Sequence, residues 1–354
     1  MFEESTSASE KRRGVGDDPT PVGLKFGSVR TVVARPEDDA VQTTVALTCS
    51  ATYQDPLTGK RRAVYGERAA NEYPDRAQFM LQSELAEDNE RATVTRSFLE
   101  TFAQTNDIPP NSAVVYAIPS FDDRRTTLDA IIEESISGRL LDGYSTAMCE
   151  SIPVFGSDLD AFDRIFTTIK MGSTNLEACV YRRGEQLAPF STGSVRGCEV
   201  DRWIINNVEE GTQGRVHIDR TTAREYKEGR TNCDDIQPLF DDTTGSGAAQ
   251  KSTVERSVTD AIDRYVKEAV DEIANEFLPR LVSRSIKIYK RVLVEPIVLT
   301  GDMAVVPGLR EAFEDRLSSE LQRNIVVTTP AEPITAAARG AQRIAGRLLE
   351  TGAY

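Results

Sequence analysis

Two segments of this chain share one design, and that repetition limits the available folds more than any bulk property does. Val22, Leu24 and Phe26 alternate up to a Gly27-Ser28 turn, and Thr31-Val32-Val33-Ala34 leaves it. Much later, Phe166-Thr167-Thr168-Ile169 enters a turn at Gly172-Ser173-Thr174, and Cys179-Val180-Tyr181 leaves it. Each reads as a β-hairpin with a small-residue tip. Two such hairpins in one chain predict two related domains, and a length of 354 residues asks for about two cores.

Between and after the hairpins, strand and helix patterns alternate. A strand is expected at 41–48 and a charged, hairpin-like subregion at about 55–70. Val94, Phe98 and Phe102 place a helix over 92–105, and Ala113–Ile118 reads as a buried strand stopped by Pro119. Asp122-Asp123 reads as the start of a helix burying Leu128, Ile131, Ile132 and Ile136. The stretch 199–245 is mixed and polar, ending in the loop-like DDTTGSGAAQ. From Val254 to Phe277 apolar residues recur every three or four positions, as in a long amphipathic helix. Val292–Leu299 reads as a buried strand, 308–321 as a helix, Ile325–Thr328 as a short strand and 333–350 as an Ala-rich helix. The alternation predicts an α/β fold.

Composition narrows the function. With a net charge of −14 the chain is a poor match for the phosphate backbone, so no nucleic-acid partner is expected. No apolar run approaches the roughly 20 residues of a membrane span, and the polar start MFEESTSASEKRRGVGDDPTP has no signal core, so a cytoplasmic protein without a transmembrane segment is expected. Lys11-Arg12-Arg13 has no apolar face beside it to anchor the tail. Only nine of the 42 basic residues are Lys, an acidic and lysine-poor pattern that fits concentrated salt, as in a halophilic archaeon, or a GC-rich genome with ordinary acidic surfaces. Five scattered cysteines without a C-x-x-C and the single His217 give no zinc site or disulfide framework. Val216 and Ile218 make His217 a strand residue, and Trp203 and the cysteines read as core.

The order of these pieces resembles the actin superfamily, in its MreB and DnaK-type chaperone branch. VGLKFGSVRT (22–31) is similar to the first phosphate motif I-G-I-D-L-G-T-x-x-T, and KMGSTNLEACV (170–180) to the second, D-I-G-G-G-T-T-D/E-V-x-V. AIPSFDDRRTTLDA resembles the segment V-P-x-x-F-x-D-x-x-R-x-x-x-x-D-A. LTGDMAVVPGLREAF resembles the adenosine motif L-T-G-G-G-x-x-x-x-G-L, and PITAAARGAQRIA the terminal helix. The resemblance implies actin-like (ribonuclease H-like) duplicated domains flanking a central cleft. Residues 1–20 would be a disordered tail. Residues 21–149 would form the first domain, with a small insertion at about 50–75 and helix 333–350 packed back on it; 150–332 would form the second, with an insertion at about 200–250. In the family, glycine turns bring backbone N–H groups to the phosphates and a carboxylate on each hairpin holds water around magnesium.

By that resemblance the nucleotide-binding candidates are Lys25, Gly27, Ser28, Lys170, Gly172, Ser173, Thr174, Gly197, Lys227, Gly301 and Asp302, with Glu150 the candidate catalytic residue. In the first motif Gly23, Gly27 and Ser28 are kept; in the second, Gly172, Thr174 and Glu177 are read as kept, with Ser173 and Asn175 as replacements. Both metal-site aspartates are replaced, by Lys25 and Lys170. Asp302 and Met303 replace glycines, and Arg224 in TAREYK (222–227) replaces a ribose-facing glutamate. RGCEVD (196–201) resembles G-G-D/E-x-x-D and keeps Asp201. Glu150 falls at the family's E-P motif, with Ser151 for the proline. An ammonium cannot ligate magnesium. Like-charge contact at ~4 Å costs roughly 4 kcal/mol per pair at an effective dielectric of about 20.

Three arrangements are open. The lysines could neutralise a polyphosphate such as ATP without magnesium; they could pair with Asp302 and Glu150 across the cleft; or they could be solvated charges in an unused cleft. Lys227 and Asp201 taken alone read as surface helix charges. Magnesium is not expected at the family position, so the chain points away from an efficient ATPase. With Tyr354 directly after the last helix, no peptide-binding domain is expected, which favours the cytoskeletal branch. The expected function is an MreB-like filament or scaffold protein that associates with itself. The alternative is a non-polymerising pseudo-ATPase regulator, or a partner subunit of an active actin-like paralogue.

Overall fold

Both hairpins form, and each extends into the same kind of sheet. The computed structural model describes residues 19–38, 40–82, 90–106, 108, 111–118, 125–156, 164–230 and 246–352. In the first half, β1 (Thr20–Phe26), β2 (Arg30–Glu37) and β3 (Ala40–Leu47) run antiparallel. After β4 (Cys49–Gln54), β5 (Arg61–Tyr65), α1 (Gly66–Glu72), β6 (Gln78–Phe79) and α2 (Glu90–Thr105), the chain returns as β7 (Ser112–Ile118), parallel to β1. Helix α3 (Arg125–Ser135) and strand β8 (Arg139–Ser145) complete the five-stranded order β3-β2-β1-β7-β8. Strands β4, β5 and β6 form a small separate sheet. A short helix, α4 (Thr146–Ser151), then leads onward.

The second half repeats the plan. Strands β9 (Ile165–Met171) and β10 (Leu176–Arg182) form the hairpin, extended by β11 (Glu185–Gln186) and β12 (Phe190–Thr192). Helices α5 (Gly197–Gly211), α6 (Arg220–Lys227), α7 (Ser246–Glu272), α8 (Leu278–Arg284) and α9 (Ile286–Val292) follow. Strand β13 (Ile297–Thr300) returns parallel to β9, α10 (Leu309–Glu320) crosses over, and β14 (Val327–Thr328) pairs parallel to β13. Each sheet therefore joins an antiparallel hairpin to parallel strands, the mixed α/β architecture expected.

Several expectations need correction. The polar stretch after 199 contains helices: α5 buries Val200, Ile204 and Val208 on one face, and Asp219 caps α6 by accepting from the Thr222 N–H at 2.7 Å. His217 lies on the exposed connection between them, not in a strand. Helix α7 begins at Ser246, so the expected loop through 250 is helical at its end. Residues 292–296 are a helix end and turn, leaving a strand of only Ile297–Thr300. Asp122-Asp123, Cys233 and the tail 1–18 fall outside the described residues. Among those described, no helix is long and apolar enough to cross a membrane.

The last helix, α11 (Pro333–Thr351), leaves the second half and packs on β1, β2, β7 and α4. Its buried face is Ala336, Ala337, Ala338, Ala341 and Ala345, small enough for close backbone approach. Two glycines set that distance. A Cβ on Gly340 would lie 1.9 Å from the Cys149 carbonyl oxygen, and one on Gly23 would lie 2.0 Å from that of Ala338. Gly346, on the same helix, faces open space.

These contacts predict opposite outcomes for two identical substitutions. Gly340→Ala should destabilise the protein by about 1–3 kcal/mol, because backbone must move. Gly346→Ala should be neutral or stabilising by up to about 1 kcal/mol through helix propensity. Denaturant unfolding of the two variants checks this.

Candidate functional site

The two hairpin tips face each other. The first is closed by the Gly27 N–H donating to the Arg30 carbonyl at 3.2 Å, the second by the Gly172 N–H donating to that of Asn175 at 2.9 Å. Between them lies a cavity of about 40 Å³, lined by Lys25, Gly27, Ser28, Lys170, Gly172, Ser173, Thr174 and Asp302 among others. Eight of the candidate residues thus share one small space. Gly301 holds φ at +93°, with a would-be Cβ 2.4 Å from the Met171 carbonyl oxygen, so the loop carrying Asp302 crosses tightly over the end of β9.

Lys25 is in β1, the central strand of its sheet, and its side chain is buried between the two halves. It lies 3.4 Å from Asp302 Oδ1 and 3.4 Å from Glu150 Oε1. Lys170 makes its ion pair elsewhere: its Nζ donates to Glu177 Oε1 at 3.0 Å. The hairpin register explains this, since Lys170 and Glu177 are direct cross-strand partners, and it corrects the expectation that Lys170 pairs with Glu150 or Asp302. Asn175 also donates to Glu177 Oε1, at 2.9 Å.

The cluster holds two lysines and three carboxylates close together, all of them buried except the partly exposed Asp302. Glu150, on α4, is fully buried, and neither of its oxygens has a well-formed hydrogen bond. Burial raises its carboxyl pKa more than Lys25 and Lys170 lower it. Burial also opposes charge on Asp302, yet Lys25, Arg30 and Lys170 outweigh it and hold that carboxyl below its ordinary range. For Lys170 burial works against the charge, but Glu177 and then Glu150 keep the ammonium above its usual value.

Around this centre further contacts tie the halves together. Arg30 on β2 meets Glu228, just past α6, through both carboxylate oxygens at 2.7 and 2.5 Å, with both side chains buried. Gln82 donates to the Ser173 hydroxyl at 3.1 Å and accepts from Arg220 at 2.7 Å. The Arg224 guanidinium lies 4.3 Å from the ring centre of Phe79. Arg224, 3.2 Å away, and Lys227, 2.5 Å away, also clamp Asp201. Lys227 and Asp201 are therefore buried partners rather than surface charges.

Gly197 opens α5, and its N–H donates to the Gly172 carbonyl at 3.0 Å. The buried Met303 side chain would be 2.8 Å from a Cβ at Gly197, so methionine fills the space beside that turn. Trp203 is half-buried, with the Arg264 guanidinium 3.9 Å from its ring centre, and Cys49, Cys149, Cys179 and Cys198 are buried free thiols. Arg30, Gln82, Arg220 and Glu228 were not singled out by motif. Glu177 was legible as Lys170's partner once the hairpin was counted outward from its turn.

A family model described as Salactin matches residues 19–349. A relative named salactin, from Halobacterium salinarum, is 50% identical over 355 residues, covering 99% of this chain and 97% of the relative. Among solved structures, the MamK double helical filament is similar with a TM-score of 0.67 at 17% identity, covering 93% of this chain and 99% of that one. The structure of MreB5 of Spiroplasma citri bound to ADP has a TM-score of 0.66 at 11% identity, with 96% and 99% covered. These likenesses establish an actin-like fold.

Two carboxylates of the cluster should respond to pH in opposite senses. Glu150 holds its proton more tightly when folded, so its contribution to stability is complete below the unfolded carboxyl pKa and is lost as pH rises through the folded one. Asp302 is more acidic when folded, so its contribution is present above the unfolded pKa and lost as pH falls through the folded one. Glu150→Gln, which removes the titrating carboxyl, should flatten the decline in stability above the carboxylate range. Asp302→Asn should cost roughly 3 kcal/mol at pH 7, as for a broken buried pair. Urea unfolding across a pH series distinguishes them.

Proposed function

The chain belongs to the salactin family, and from that premise we propose that it is an actin-like filament protein of the cytoplasm whose cleft is closed by its own ion pairs instead of by a magnesium nucleotide. The observation that carries this reading is Lys25, which stands where the family places a metal-binding aspartate and bridges Glu150 and Asp302. In a related ATPase the hairpins carry negative charge and a dication with phosphates lies between them. Here the hairpins carry ammonium groups, and carboxylates of the same chain supply the opposite sign.

A magnesium nucleotide does not fit these residues. Two ammonium groups repel a dication and have no lone pair to offer it. The space between the turns, about 40 Å³, is far below the roughly 300–1,000 Å³ of small-molecule sites. Met303 occupies room beside Gly197, and Asp302 would face an incoming phosphate with like charge. Hydrolysis by the two-aspartate route therefore has no metal to act through. The acidic, lysine-poor composition is read as an adaptation to concentrated salt. The filament, in this reading, positions or shapes cell components, with closure built into the fold.

Two measurements test this. Denaturing the purified protein should release no stoichiometric nucleotide, and sedimentation should be the same with ATP, with magnesium or with EDTA. Stoichiometric ATP retained in EDTA would overturn internal closure and support lysines that neutralise phosphate directly. A protein that stays in the supernatant under every condition would favour the non-polymerising regulator. Lys25→Asp should place three carboxylates together and lower stability by about 3–5 kcal/mol, read by thermal or urea unfolding.

A further inference from the structure

Beside the lysine cluster, a second space opens between the two halves and has a different character. It is a cavity of about 330 Å³ that shares no lining residue with the space between the hairpin tips. The first half contributes Phe79, Gln82 and Arg91 to its wall, and the second half contributes Arg196, Arg202 and Arg220. Glu199 is the one acidic residue in that lining among the described residues. Four arginines against one glutamate give the wall a net charge of +3, in a chain whose own net charge is −14.

Nearby carboxylates do not absorb this charge. Glu199 takes Arg202 at 3.1 Å. Asp201 is held by Lys227 and Arg224, and Arg220 Nε lies 3.8 Å from it, too far for a hydrogen bond. That Nε–H is buried and has no hydrogen-bond partner. Glu90, next to Arg91, pairs with Arg61 at 2.6 Å, and Asp219 caps α6. Arg196 donates to a neutral acceptor, the Gly193 carbonyl, and has no carboxylate partner among the described residues.

Neutral groups hold the wall in place. Arg220 donates to Gln82 Oε1 at 2.7 Å, and its guanidinium lies 5.7 Å from the ring centre of Phe79. The first two N–H groups of α5 donate to the carbonyls of Gly172 and Ser173, so side chains and not the helix end make the site.

We propose that this cavity binds an oligophosphate without a metal ion, either free in solution or as the phosphate chain of a nucleotide. Guanidinium groups match phosphate oxygens in pairs, and a wall at +3 favours a ligand carrying several negative charges. The volume lies within the roughly 300–1,000 Å³ of small-molecule sites, which the space between the hairpin tips does not. A ligand that touches Arg91 and Arg196 touches both halves. It therefore adds a bridge at the mouth of the cleft, in the same direction as Gln82, and steadies a closure that the buried ion pairs already set. The site lies within one copy, so its occupancy does not depend on filament formation.

Equilibrium dialysis of the full chain against tripolyphosphate in EDTA tests this, with circular dichroism confirming that each variant is folded. About one equivalent should bind, and orthophosphate should bind at least about tenfold more weakly. Arg196→Ala/Arg202→Ala, both at exposed positions, should lower the affinity for tripolyphosphate about tenfold or more. Arg256→Ala/Lys267→Ala, exposed on α7, should leave it unchanged. ATP in EDTA that binds like tripolyphosphate, with the same loss in the arginine variant, identifies the phosphate chain alone as the ligand. ATP that binds about tenfold tighter, with that same loss, identifies a nucleotide as its source. Absence of saturable binding overturns the proposal and leaves internal closure standing. Binding that the arginine variant leaves intact overturns both, because it places the anion between the hairpin tips. Binding that appears only in Glu84→Gln/Glu87→Gln, in the sequence between Gln82 and Glu90, also overturns the proposal, by giving the arginines to the chain's own carboxylates.

Discussion

A buried ammonium needs a counter-charge within a few ångströms, and the position of Lys25 makes both halves of the protein supply it. Glu150 reaches it from the helix that follows the first sheet, and Asp302 from the loop after β13, each at 3.4 Å. An unpaired buried ion costs several kcal/mol, and the Lys25 side chain is almost wholly removed from water. Drawing the halves apart would carry Asp302 away and leave the ammonium with Glu150, a group whose own charge is opposed by burial. Closure is thus the arrangement in which Lys25 is neutralised. Arg30 with Glu228, and Gln82 between Ser173 and Arg220, act across the same gap in the same direction.

How much of this could be read beforehand depended on the range of the information. The hairpins were legible because Val22, Leu24 and Phe26 announce a strand locally and the glycine turn ends it. The contact of Lys25 with Glu150 and Asp302 was reachable only through resemblance, which placed three distant segments at one cleft. Lys170 with Glu177 needed less: counting outward from the turn puts them opposite each other. Arg30 with Glu228 had neither aid, being 198 residues apart in no motif. Asp201 misled because a charged residue on a polar helix usually faces water, whereas here Arg224 and Lys227 supply its counter-charge inside.

Two helices were hidden for different reasons. Helix α5 is interrupted by Asp201, Arg202, Asn206 and Asn207, so its apolar face is carried by Val200, Ile204 and Val208 and is faint in a short window. Helix α9 has the opposite problem. Its last residue, Val292, is β-branched and merges with Leu293, Val294, Ile297 and Val298 into Val292–Leu299, which reads as one strand. What makes it helical is Ser285, whose hydroxyl accepts from the Ile288 N–H at 3.4 Å, and burial against β9. Neither influence is visible as composition.

The placement of charge also separates two kinds of electrostatics in this protein. Lys25, Lys170, Arg30 and Lys227 are paired inside, with water excluded, and added salt reaches them poorly. The cations of α8 and α9 are exposed, and at 1 M salt their field falls off over about 3 Å. In concentrated salt the cleft could therefore stay closed by charge, whereas exposed charges would not act at long range.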